Sequence, residues 1–238
     1  MARNKYITLV SSIIRYNLKI IFAGKFFWFL LAAFAFFAFF MFQLAWNREE
    51  INEGSIYSLL MFPCLLLIFY PVVFGIQNDE DNRILEIIFG IPNYRYKVWG
   101  VRMLMVYVAN YFIILLFAYM ARLLLYPVNV FEMAAQLIFP MLFFGNLAFM
   151  FSTITRSGNG TAVIMIVLGL LFFIFMNAAD FLSTSLWNVF LNPFTLPTNV
   201  HPVIWQSTIL ESRLFLATAA IIFLLIGLLN LQKREKFV

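Results

Sequence analysis

Apolar runs long enough to cross a bilayer alternate along this chain with short polar breaks. A helix needs about 20 largely apolar residues to cross a hydrocarbon core about 30 Å thick. Runs of that kind at 26–46, 55–76, 101–126, 131–151, 161–177 and 214–231 predict six transmembrane helices in one domain spanning 1–238. Pro63 and Pro71 fall inside the second run, where neighbouring helices can satisfy the carbonyls they free. Upstream, residues 3–24 set Tyr6, Leu9, Ile13, Tyr16 and Ile20 at helical spacing with Arg15 and Lys19 off that stripe, which predicts an interfacial amphipathic helix. The first run lies too late and runs too long for a cleaved secretion signal. The alternation fails at 180–212, where Phe181, Trp187, Phe190 and Phe194 are interrupted by Pro193, Pro197 and Pro202. Such a segment is too broken to span and predicts re-entrant or interfacial helices.

Between the second and third runs lies a different pattern. Asp79, Glu80, Asp81 and Asn82 can cap a short helix, and their carboxylates complement its positive end. Ile84, Ile87 and Ile88 then share one face, and Gly90 and Pro92 stop the turn, predicting an amphipathic helix over 82–90. So short a helix is marginal alone and must rest on something: lipid headgroups or a protein partner.

Composition agrees with a bilayer protein: 64% hydrophobic, 19% aromatic and 11% charged residues, with a mean hydropathy of +0.93. The net charge of +5 would suit nucleic acid if it were clustered, but the cations are strung along the predicted membrane edges. They set topology instead. Arg3, Lys5, Arg15, Lys19, Lys25, Arg83, Arg95, Lys97, Arg102, Arg156, Lys233, Arg234 and Lys236 fall on one side, with only Arg48, Arg122 and Arg213 on the other. Glu49, Glu50, Glu53, Glu132, Asp180 and Glu211 share that other side, so both termini are expected in the cytoplasm.

Most catalytic chemistry is excluded. His201 is the single histidine and Cys64 the single cysteine, so no zinc motif, disulfide framework or paired-thiol redox site can form. No GxxxxGK[ST] phosphate loop occurs, and Ser157-Gly158-Asn159-Gly160-Thr161 reads as a turn between spans. The chain is not expected to be an enzyme. Asn110, Asn146 and Asn177 are the polar residues nearest span interiors: interhelical hydrogen bonding is their ordinary role, and contact with a transported substrate is the functional one. Were some of the 31 phenylalanines to line a path, they would suit a lipid-like or amphipathic cargo better than a small ion.

Leu85-Glu86, followed by Pro92, Arg95 and a second cation at Arg102, resembles the cytoplasmic loop of permease subunits of type-2 ATP-binding cassette (ABC) exporters. The layout is similar throughout: an amphipathic N-terminal helix, six spans, this loop between the second and third, and a broken apolar segment before the sixth. Two positions depart from the family. Arg83-Ile84 stands where Gly-Thr is usual, and Arg102 where lysine is. The resemblance implies a half-transporter that pairs with a second permease chain, as homodimer or heterodimer, in a bacterial inner membrane. It implies a separate nucleotide-binding ATPase subunit that holds ATP and Mg, this chain binding no cofactor of its own. It also implies that Arg83, Leu85, Glu86, Ile87, Phe89, Pro92 and Arg95 couple to that ATPase. The rival reading is a chain without an ATPase partner, either a secondary transporter or a structural subunit of a membrane complex. Scarce intramembrane charge and the lack of an evident inverted repeat weigh against the former.

Overall fold

In the computed structural model the described residues are 25–47, 51–81, 83, 90, 94–177, 185–198 and 200–232. The interfacial helix expected over 3–24 lies outside them, as does all but Arg83 and Gly90 of the helix expected over 82–90. Among the described residues every regular element is helical. They are α1 (Phe26–Asn47), α2 (Glu53–Val73), α3 (Gly75–Asp81), a π-helical turn (Arg95–Gly100), α4 (Val101–Leu124), α5 (Val130–Thr155), α6 (Gly158–Asn177) and α7 (Pro202–Asn230). Counting α2 with α3, and the π turn with α4, six helical segments are long and apolar enough to cross a membrane.

Local chemistry sets the helix starts. Asn52 caps α2, its side chain accepting from the Ser55 N–H at 2.9 Å, with Glu53 in the first turn. Asn129 does the same for α5, with Glu132 following. His201 caps α7 through Nδ1, and Pro202 occupies the first helical position, where its missing N–H costs nothing. The last helix therefore begins at Pro202 rather than at the expected Leu214. Among the described residues of 180–212, the helical part is thus the first three turns of α7, while 185–198 consists of turns. Asn188 and Asn192 make those turns by accepting from the N–H groups of Phe190 and Phe194.

At the centre stands α5, which packs against α2, α4, α6 and, most extensively, α7. Its apolar stretch is 67% buried and that of α2 61%, against 11% for α1 and 17% for α6. Small residues let the central helices approach. A Cβ on Gly227 of α7 would stand 2.7 Å from the Phe149 ring of α5, and one on Gly145 of α5 would stand 2.7 Å from Tyr107 Oη of α4. In lipid there is no hydrophobic drive between helices, so such close packing and interhelical hydrogen bonds hold the bundle together. Tyr107 Oη donates to Asn146 Oδ1 at 2.6 Å, and Asn230 Nδ2 donates to the Thr153 carbonyl at 3.0 Å.

Candidate functional site

The end of the bundle that receives Lys25, Arg83, Arg95, Lys97, Arg102 and Arg156 is built around the exit of α2. The helix bends at Phe74, just past Pro71, and continues as α3. Ser152 of α5 donates to the Val73 carbonyl at 3.2 Å beside this bend. Asp79 on α3 is thereby turned inward, where its carboxylate meets the Arg102 guanidinium of α4 at 2.6 Å. Both residues are buried, at 3% and 5% exposure. The guanidinium also lies 4.6 Å from the Trp99 ring centroid, and Trp99 packs on Phe149 of α5.

Asp79, one of four residues that the sequence offers as a cap, is the anionic half of a buried pair, and Arg102, expected along a membrane edge, is held inside by that carboxylate one helix away. A buried charge is tolerable only with a partner in good geometry, which is why the two residues enter together.

From this pair contacts radiate to the other spans. Gln77 accepts from the Gly158 N–H at 2.6 Å, joining α3 to the start of α6. A Cβ at position 158 would collide with the Phe74 ring, so glycine is required by proximity alone. Asn78 and the Lys25 N–H both donate to Tyr70 Oη, at 3.4 and 3.2 Å, which brings in the start of α1. Tyr94 Oη donates to the Leu231 carbonyl, and Arg95 donates to Gln232 Oε1 at 3.2 Å, tying the π turn to the end of α7. The segment between Arg83 and Tyr94 is therefore flanked on both sides by residues wired to α1, α4, α6 and α7. Arg83 itself closes α3, its N–H donating to the Glu80 carbonyl at 2.9 Å and its backbone in the left-handed region at φ 56°.

Of the residues expected to couple to a partner, Arg83 and Arg95 are described and flank this junction; Leu85, Glu86, Ile87, Phe89 and Pro92 lie outside the described residues. Asn146 is occupied by Tyr107, Asn110 is buried on α4 with no partner for its Nδ2 among the described residues, and the side chain of Asn177 lies outside the described ones. Sequence reasoning missed Arg213, counted as a flanking cation at the edge of the last span but buried on α7 at 4% exposure. Its signal would have been the uninterrupted helical stretch after Pro202, which carries it inside the bundle. Among the described residues no three His, Cys, Asp or Glu side chains converge as a metal site would require. No protein-family model matches this sequence, and no curated protein matches it.

Proposed function

We propose that this chain is the membrane-spanning subunit of an ATP-driven ABC exporter, forming half of a translocation path with a second permease chain. The six-span bundle makes an integral membrane protein; the rest of the reading depends on the junction. The observation that carries it is the backbone of Arg83. A non-glycine residue at φ 56° occupies the position where the exporter pattern has glycine, the residue that enters this conformation freely. That conformation is one a glycine enters freely, so the departure in side chain falls where the backbone itself would suit the family's residue. Leu85-Glu86, Pro92 and Arg95 follow at the family's spacing.

In this mechanism an ATPase subunit, which holds ATP and Mg, grips the segment around Leu85, Glu86, Ile87 and Phe89. When ATP closes the partner dimer, the segment moves and pulls on α3 through Arg83 and on the π turn through Arg95. The Asp79–Arg102 pair makes α3 and α4 respond together, and Gln77 and Tyr94 carry the motion to α6 and α7. The basic end faces the cytoplasm, by the excess of cations there, and cargo leaves toward the opposite side.

A second reading, a secondary transporter, gains one observation: Asp79 and Arg102 are intramembrane charges of the sort that carry coupling ions. They satisfy one another, though, which leaves the carboxylate less available to an ion than an unpaired one would be. Mild-detergent purification of the tagged chain, with mass spectrometry and an ATPase assay of the eluate, separates the readings. A stoichiometric phosphate-loop protein with ATPase activity, lost in Glu86→Ala and Arg95→Ala while membrane insertion persists, is the expected result. A chain that purifies without ATPase activity refutes the exporter.

A further inference from the structure

We infer that the end of the bundle opposite the junction holds a site for an anionic, phospholipid-like amphiphile, with its headgroup beside Tyr57 and its chains along α2 and α6. This deepens the exporter reading by naming a cargo class, and its role in transport rests on that reading; the binding site itself does not.

The first observation is a buried cation that has no counter-ion among the described residues. Arg213 donates to Gln136 Oε1 at 2.9 Å, Tyr57 Oη at 3.2 Å and the Leu191 carbonyl at 3.1 Å, all neutral acceptors. No carboxylate among the described residues lies within ion-pairing distance of it, and Nη1 has no hydrogen-bond partner. Burying an ion without a partner is strongly unfavourable, so the protein has kept a positive charge where an anion would be stabilised. The second observation is the phenol that Arg213 reaches. Tyr57 Oη accepts from the guanidinium, and its own proton has no acceptor among the described residues. That hydroxyl is left as a donor polarised from behind by a cation.

The third observation is the space that Tyr57 helps to line. Tyr57, Ser58 and Asn188 line a cleft of about 270 Å³, whose walls Phe173 and Phe190 also bound an apolar cleft of about 570 Å³ between α2 and α6. Together they fall within the size range of sites for small amphiphiles, about 300–1,000 Å³. From Tyr57 to Phe69 the α2 wall rises about 18 Å, roughly one leaflet of a core about 30 Å thick. One polar end and one apolar trough, one leaflet deep, fit a lipid better than a soluble anion. Gly169 of α6 lines the trough, and a Cβ added there meets nothing within 4 Å. Its small size serves no helix contact and leaves the trough open.

Purified protein in neutral detergent is titrated with phosphatidylglycerol, with phosphatidylcholine of the same chains, and with inorganic phosphate, reading the unfolding temperature. Phosphatidylglycerol is expected to stabilise the wild type, the other two much less. Tyr57→Phe and Gly169→Phe, the one removing the donor and the other filling the trough, should each weaken the apparent affinity about tenfold. Gly169→Phe should unfold near the wild-type temperature without lipid, whereas Tyr57→Phe, which takes one acceptor from Arg213, should unfold lower, so each affinity is read from the lipid-induced shift of that variant over its own lipid-free value. Equal stabilisation by phosphatidylcholine, reproduction of the effect by phosphate alone, or wild-type affinity in either variant overturns the site. Because this titration needs no ATPase, its outcome is independent of whether a nucleotide-binding partner is found.

Discussion

An L-residue held in the left-handed region costs about 1 kcal/mol or more relative to its helical alternative, and Arg83 carries that cost at the end of α3. Arg83→Gly should therefore raise stability by up to about 1 kcal/mol, and Arg83→Val should lower it by at least as much, because a branched Cβ crowds further. Thermal unfolding of the two variants in the same detergent checks the order; a glycine variant less stable than the valine one would refute the backbone assignment. Asn110 gives a second residue-scale test. Its buried amide nitrogen has no partner among the described residues, and an unsatisfied group of that kind costs about 1–3 kcal/mol. Asn110→Leu should be more stable than wild type by roughly 1 kcal/mol if that amide serves no substrate, and its transport activity then decides whether the stability was given up for function. Asn146 was legible from sequence in its ordinary role, since an asparagine in an apolar run seeks a neighbouring helix and finds Tyr107. Arg213 was not, because a cation near a predicted span edge is indistinguishable in sequence from one that snorkels.

At the scale of elements, Asp79 and Arg102 join α3 to the first turn of α4, just past the π turn. Breaking a buried pair from one side leaves the other charge unpaired, at about 3–5 kcal/mol. Asp79→Ala and Arg102→Ala should each be destabilised to that degree, while the double variant loses less than the two losses combined. A double-mutant cycle by thermal unfolding measures the coupling, and strict additivity would remove the pair from any mechanical role. The six spans were legible because length and apolarity alone decide them. The start of α7 was not, for Pro202 reads as a breaker inside a run and as a starter when a capping residue precedes it, and the cap here is a histidine. The pairing of Asp79 with Arg102 was hidden for another reason: the two are separated in sequence by the very loop they bracket, and a row of four polar residues there looks like a helix cap.

For the molecule as a whole, the described chain enters at Lys25 and leaves at Gln232 at the same end, since Lys25 meets Tyr70 and Leu231 meets Tyr94. The two ends of the bundle differ in charge. Arg83, Arg95, Lys97 and Arg156 stand at one, and Glu53, Glu132 and Glu211 with Arg122 and the buried Arg213 at the other. Flanking lysine and arginine are retained on the cytoplasmic side during insertion, whereas acidic residues contribute little, so the first end should face inward. Cys64 makes this simple to test, because it is the only cysteine and is buried between α2 and α5, where Sγ lies 3.9 Å from the Leu137 carbonyl. Cys64→Ala should retain the fold at a cost of about 1 kcal/mol and supply a thiol-free background. Into it Glu132→Cys and Arg156→Cys each place one thiol, both at exposed positions on opposite ends of α5. In intact cells a membrane-impermeant maleimide should label Glu132→Cys and leave Arg156→Cys unlabelled until the membrane is permeabilised. The reverse pattern would put the junction outside, away from any ATP-hydrolysing partner, and would end the exporter reading. It would leave the bundle, its buried pair and its lipid-sized trough unchanged, because those follow from packing rather than from orientation.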